Sequence, residues 1–229
     1  MSIHSLHFSD TIVTDHLPPS TTGTLMAPGV LHRVIHGTPD PQAWQRDLLT
    51  IRPALLQSHR RHRVRHADYP AILPHADSTV RGTLVTGLTE GDIYRLDIFE
   101  GDQYSREAVT VQVLQDVGLD ERVSDEETSR LVVGEVVAQT YIWRDGEAAL
   151  EAEEWDFEQF KREKMRAWMG LASGEGSTVV DDGFADVDRA VKEEEERSRR
   201  DGENLKGHDP MGGRGANGHI TQRLEKAAV

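Results

Sequence analysis

Apolar and polar positions change rhythm several times along this chain, and each change marks an element. The clearest change lies near the middle. In Thr89-Glu90-Gly91-Asp92 a hydroxyl precedes a carboxylate by three residues, the acidic form of a capping box, and Ile93 and Leu96 follow at helical spacing. A helix is predicted from there to Glu100, ended by Gly101, the residue that most readily turns left-handed. From Tyr104 the pattern alternates, with Val109, Val111 and Val113 on one face, and predicts a strand. Glu100 thus stands at a helix-to-strand corner between Phe99 and Gly101, a place from which one carboxylate can point into a cavity. In an apolar cavity that group is a usable general acid/base near neutral pH. On composition alone, a Glu beside Gly at a helix end is more often a solvated surface group.

Upstream, residues 79–88 are rich in Val and Thr and read as a strand, in which Gly82 permits a bend or the close approach of another backbone. Residues 68–74 read as an irregular extended segment with buried apolar members, and residues 41–49 as a short helix with Trp44 and Leu48 on one side. The stretch Thr22-Gly23-Thr24-Leu25 is a glycine-led turn before a Pro-containing helix start. Such a turn can present N–H groups to a carboxylate or an oxyanion, although an ordinary turn is the simpler reading. Residues 1–21, with scattered His and Ser and ending in Pro18-Pro19-Ser20, read as a loosely held leader in which Thr11-Ile12-Val13 could form a short extended piece.

Downstream, residues 115–135 are charged and read as a loop, and 136–143 as a last strand. A helix is predicted over 150–169, where Trp155, Phe157, Phe160 and Trp168 form a stripe that should dock on the core. After Leu171 the chain turns to Ser, Gly and Asp; residues 186–200 read as a polar helix with a solvated face.

Charge sharpens this division. The first 113 residues hold 12 acidic against 10 basic residues, and the rest hold 28 against 16, so the acidity of the 229-residue chain belongs mainly to its second half. A globular first part followed by a solvated, partly disordered acidic and Gly-rich tail is the expected organisation. With no cysteine there is no disulfide framework, thiolate nucleophile or thiolate metal site. No stretch approaches the roughly 18 apolar residues of a membrane span, and no secretory leader is evident, so a soluble, cytoplasmic protein with no membrane partner is expected.

Two local patterns invite chemistry and are set aside. His59-Arg60-Arg61-His62-Arg63-Val64-Arg65-His66 has the charge of a nucleic-acid site, yet no aromatic is interleaved and the protein is acidic; in a strand these residues would form one solvated face. Its histidines do not suggest a metal site either, because neighbouring guanidinium groups repel a cation. Gly213-Arg214-Gly215-Ala216-Asn217-Gly218 spells G-x-G-x-x-G but follows Pro210-Met211 rather than a strand, which removes the context of a dinucleotide site.

Gly23-Thr24-Leu25-Met26, Tyr69-Pro70-Ala71, Val80-Arg81-Gly82, Leu96-Asp97-Ile98-Phe99-Glu100-Gly101 and Tyr104-Ser105-Arg106 succeed one another in an order and at spacings that resemble the gamma-glutamylcyclotransferase-like family. The likeness is to its avirulence-induced-gene branch of fungal type, and it runs from about residue 22 to 113, with 136–143 and 150–169 resembling the fungal extension. It implies an α+β fold, a small mixed β-barrel flanked by helices, over residues 22–171, with a leader at 1–21 and a partly disordered helical extension at 172–229. The resemblance also implies a reaction, the intramolecular cyclisation of a γ-glutamyl amide to 5-oxoproline with release of an amino acid or amine. In it Glu100 would be the general acid/base, and Thr22, Gly23, Thr24, Leu25 and Tyr104 would hold the substrate, with no metal, nucleotide or other cofactor. Where the family places an aromatic strand before the Gly-Thr-Leu loop, this chain has Pro18-Pro19-Ser20-Thr21-Thr22, and two prolines argue against a regular strand. The alternative is a non-catalytic module that captures a small ligand or a partner. The leaving amine, the oligomeric state and any protein partner of the acidic tail are not specified by the sequence.

Overall fold

A computed structural model of the chain describes residues 17–115, 128, 130–169 and 182–201. It is an α+β fold on one five-stranded sheet. The strands are β1 (Ser20–Thr21), β2 (Thr50–Arg63), β3 (Pro70–Thr86), β4 (Tyr104–Leu114) and β5 (Val132–Trp143), in the order β1-β3-β2-β4-β5. The helices are α1 (Pro28–His36), α2 (Ala43–Arg46), α3 (Glu90–Glu100), α4 (Phe157–Glu163), α5 (Met165–Trp168) and α6 (Asp182–Asp201).

β2 and β3 form the long central hairpin, pairing Thr50 with Thr86 at one end and Arg63 with Pro70 at the other. The register shifts between Gln57 and His59, opposite Thr79 and Pro74, so the segment at 70–74 that the sequence presents as irregular belongs to the same strand as 79–86. β5 likewise begins at Val132, inside the expected loop.

The expected barrel is not closed. The named ladders are all antiparallel, and the edges β1 and β5 meet at one isolated parallel bridge between Pro19 and Gln139. Two hydrogen bonds accompany it: Gln139 N–H donates to the Pro18 carbonyl and the Thr140 hydroxyl to the Ser20 carbonyl, each at 2.9 Å. Pro18 and Pro19 have no N–H to extend a ladder, so β1 is two residues long and the sheet curls without closing. The end of the segment expected to be loosely held is nevertheless packed: Leu17, Ser20 and Thr21 are buried. Thr11-Ile12-Val13 and the Gly213–Gly218 run lie outside the described residues.

α3 is capped as its sequence predicts. Thr89 Oγ1 accepts from the Asp92 N–H at 3.2 Å, and Asp92 Oδ2 accepts from the Thr89 N–H at 2.8 Å. Leu96 is fully buried beneath the helix, and Gly101, at φ 68°, ends it. α1 starts at Pro28, buries Val30, Leu31, Val34 and Ile35, and ends at Gly37, at φ 76°.

The helix expected over 150–169 is two short ones. The Asp156 carboxylate accepts from the N–H groups of Glu158 and Gln159, which starts α4 at Phe157, and a break at Lys164 separates α5. Between Leu150 and Asp156 the chain is not helical, with Leu150 bridged to Val64 and the Trp155 indole donating to the Asp68 carbonyl at 2.8 Å. The aromatic stripe docks all the same: Trp155, Phe157, Phe160 and Trp168 are buried in one cluster with α1 and Leu96.

α6 begins earlier than its polar sequence suggests and is not solvated all round. Phe184 and Val187 are buried, the Phe184 ring lies 5.0 Å from Phe99, and Arg33 of α1 grips Asp188 through two hydrogen bonds of 3.0 and 2.6 Å.

Candidate active site

The C-terminal end of α3, the glycine-led loop after β1 and the start of α6 enclose a cavity of about 360 Å³. Glu100 is the last residue of α3 and is half-buried on its wall. Thr22, Gly23, Thr24, Leu25 and Tyr104, the other residues expected from the sequence to form a site, line the same cavity. Residues as distant in the chain as 22 and 104 are thus gathered on one cavity wall with Glu100.

Each is held for a local reason. Thr24–Met26 is a single 3-10 turn whose carbonyls at Gly23 and Thr24 accept from Met26 and Ala27, each at 3.0 Å. Among the described residues, no backbone carbonyl takes the N–H of Gly23, Thr24 or Leu25. A Cβ on Gly23 would stand 3.0 Å from Pro70 Cγ, so any other residue would keep the loop this close to the start of β3 only if the proline ring gave way by a few tenths of an ångström. The Tyr104 hydroxyl donates to the Pro70 carbonyl at 2.9 Å and ties that strand to the far side of the cavity.

Three features were not legible as site residues. Tyr141 of β5 lines the cavity and donates its hydroxyl to Asp97 Oδ1 at 2.8 Å, one turn before Glu100. Burial, then the carboxylates of Asp97 and Glu100, hold the Tyr141 hydroxyl well above its ordinary value, so it stays a neutral donor. Trp168 and Asp186, from α5 and α6, complete the outer wall. The third is Arg61. Taken from the sequence as part of a solvated arginine face, it is buried, with Nη1 donating to the Thr22 carbonyl at 3.0 Å and its guanidinium 5.4 Å over the Trp155 ring. Nη2 pairs with Glu154 at 3.5 Å. Burial lowers the guanidinium's pKa, offset in part by Glu154 and Asp156.

Among the described residues that line the cavity, the charged side chains are Glu100, Asp102 and Asp186, with no Lys, Arg or His. Among the described residues no group of three or more His, Asp or Glu is arranged to hold a metal ion.

An antiparallel sheet flanked by helices, with Glu100 at a helix end and a glycine-led loop on the wall of one cavity, defines an α+β protein with a candidate small-molecule pocket. A sequence model described as gamma-glutamyl cyclotransferase, AIG2-like, matches residues 23–157. The chain belongs to that family. Among its relatives, Protein AIG2 C of Arabidopsis thaliana is 27% identical over 139 residues, which are 61% of this chain and 68% of that protein. AIG2-like protein B of the same plant is 27% identical over 147 residues, 64% of this chain and 70% of that one. A solved yeast structure described as a glutathione-specific gamma-glutamyl cyclotransferase aligns at 11% identity and a TM-score of 0.38, covering 76% of this chain and 97% of that one. A likeness of that degree assigns nothing to individual residues.

Proposed function

We propose that the protein is a γ-glutamylcyclotransferase that converts a γ-glutamyl amide to 5-oxoproline and releases an amino acid or amine. The observation that carries this reading is the gathering of Glu100 and the 22–25 loop on one cavity. The substrate's α-amine attacks its own γ-amide carbonyl, the ring C–N bond forms, and the original amide C–N bond breaks. Glu100 takes a proton from the α-ammonium and delivers it to the leaving nitrogen, and the second proton, shed by the ring nitrogen as it becomes an amide, goes to water. The N–H groups of Gly23, Thr24 and Leu25 receive the α-carboxylate, and Thr22 and Tyr104 close the wall around the glutamyl chain.

Nucleophile and electrophile belong to one molecule, so the site has three tasks: to fold the substrate, to shuttle one proton and to offset the charge that develops on the carbonyl. None of these tasks calls for a metal or a nucleotide. The substrate in this reading is a small γ-glutamyl compound met in the cytoplasm, and neither nucleic acid nor membrane takes part. Among the described residues no helix is long and apolar enough to cross a membrane.

The rival reading, a module that binds without turnover, rests on the two prolines before the loop and on the long acidic tail. β1 is only two residues long, yet Ser20, Thr21 and Thr22 line the cavity. The test is product detection across γ-glutamyl amino acids, γ-glutamylamines and glutathione; ligand binding with no 5-oxoproline from any of them would favour the rival.

A further inference from the structure

The Thr22–Gly23 peptide is the first unit of the loop, and its two polar ends face different surroundings. A trans peptide is planar, with its C=O and N–H pointing in opposite directions. The Thr22 carbonyl is taken by Arg61 Nη1 at 3.0 Å, and Arg61 is not on the cavity wall. The Gly23 N–H, on the other end of the same plane, therefore points away from Arg61, and Thr22 and Gly23 both line the cavity.

Such a peptide is easily inverted. A flip turns ψ of the first residue and φ of the second, and glycine at the second position removes most of the steric resistance. Inversion would aim a carbonyl oxygen at the place where a carboxylate must sit. What opposes it is a buried guanidinium with a fixed seat: Nη1 also reaches the Arg81 carbonyl at 3.4 Å, Nη2 reaches Glu154, and the group stacks over Trp155. A positive charge on the carbonyl oxygen also polarises the peptide and strengthens the N–H at its other end as a donor.

We propose that Arg61 is a positioning residue, which orients the Gly23 N–H for a substrate carboxylate by holding the opposite end of the same peptide. The proposal rests on the cyclotransferase reading for the identity of the carboxylate, but not on turnover. It explains how a cavity whose described lining carries no cationic side chain receives an anion: the cation stands behind the loop and acts through it.

The test compares the binding of 5-oxoproline and of its carboxamide, which lacks only the anionic group, to wild type, Arg61→Met and Arg61→Lys by calorimetry. Thermal unfolding of each variant is followed in parallel. The expected result is that Arg61→Met weakens 5-oxoproline by about tenfold, the loss of one charge-assisted hydrogen bond, and leaves the carboxamide nearly unchanged. Millimolar guanidinium restores the difference, and Arg61→Lys falls between. Should Arg61→Met fail to fold, Arg61→Lys carries the test, because it keeps the charge and loses the second prong. Equal weakening of both ligands, or no weakening in a folded variant, overturns the proposal, as does a wild type that does not distinguish the two. A wild type that prefers the carboxylate through Arg61 yet forms no product from any γ-glutamyl amide would instead overturn the cyclotransferase reading alone.

Discussion

Gly82 lies directly beneath the carbonyl of Thr21: a Cβ at position 82 would overlap that oxygen, and the Thr22 methyl would be 3.1 Å away. This contact lets the two-residue β1 reach β3, pairing Thr21 with Thr83 and joining their hydroxyls at 2.7 Å. Thr21 and Thr22 in turn are cavity wall. One missing side chain on the central hairpin therefore fixes where the glycine-led loop begins.

Gly82→Ala is expected to push β1 outward. The overpacking is against backbone, which cannot rotate aside, so the loss should be about 2 kcal/mol. Urea unfolding measures it, and ligand binding should fall further than the stability loss alone accounts for. Wild-type stability in this variant would mean that β1 is not seated as described.

Phe184 tests whether α6 is part of the domain. Its ring is buried against Phe99 and Trp168, with the Arg33 guanidinium 5.2 Å from its centre. Phe184→Ala should cost about 3 kcal/mol, as for other large-to-small changes in a core. A helix held only by its Asp188–Arg33 ion pair would lose far less, since pairs with one half-exposed partner contribute little.

The buried His32 supplies a pH dependence. Burial, followed by the charge of Arg46, lowers its pKa below the ordinary 6.5. The unfolded chain therefore takes up the proton first as the pH falls. Stability from this group is complete above about pH 6.5 and declines below it. The drop in urea midpoint between pH 7.5 and 5.5 should be smaller in His32→Leu than in wild type; identical drops would show that His32 does not contribute.

How much of this was legible depended on how local the cause was. The cap at Thr89 and Asp92, the stop at Gly101 and the alternation after Tyr104 are set by neighbours in sequence, and each is where its pattern predicts. The close approach at Gly82 was legible as a possibility because glycine in a strand has few other uses. The segment at 150–169 misled because its aromatics suit helical spacing, while Trp155 is fixed by the distant Asp68 carbonyl and the helix waits for the Asp156 cap. Barrel closure depended on whether strand edges meet across Pro18 and Pro19, which no local pattern specifies. Arg61 was least legible of all. Its burial requires Thr22, Glu154 and Trp155 to converge, and an arginine among arginines carries no mark of that.

The convergence of Glu100, the 22–25 loop and Tyr104 on one cavity was legible, because the motif residues stand at spacings that resemble the family's. Tyr141, Trp168 and Asp186 were not, because they reach the cavity from β5, α5 and α6, whose docking depends on packing rather than on motif.

The most direct test of the central claim is 5-oxoproline release from γ-glutamyl substrates by wild type and by Glu100→Gln, with thermal unfolding of both. The account predicts release by wild type and a loss of at least about a hundredfold in the variant, the scale of a positioned proton-transfer group, with both proteins equally stable. Equal release by the two would contradict the role of Glu100, and no release from a folded wild type would contradict the reaction.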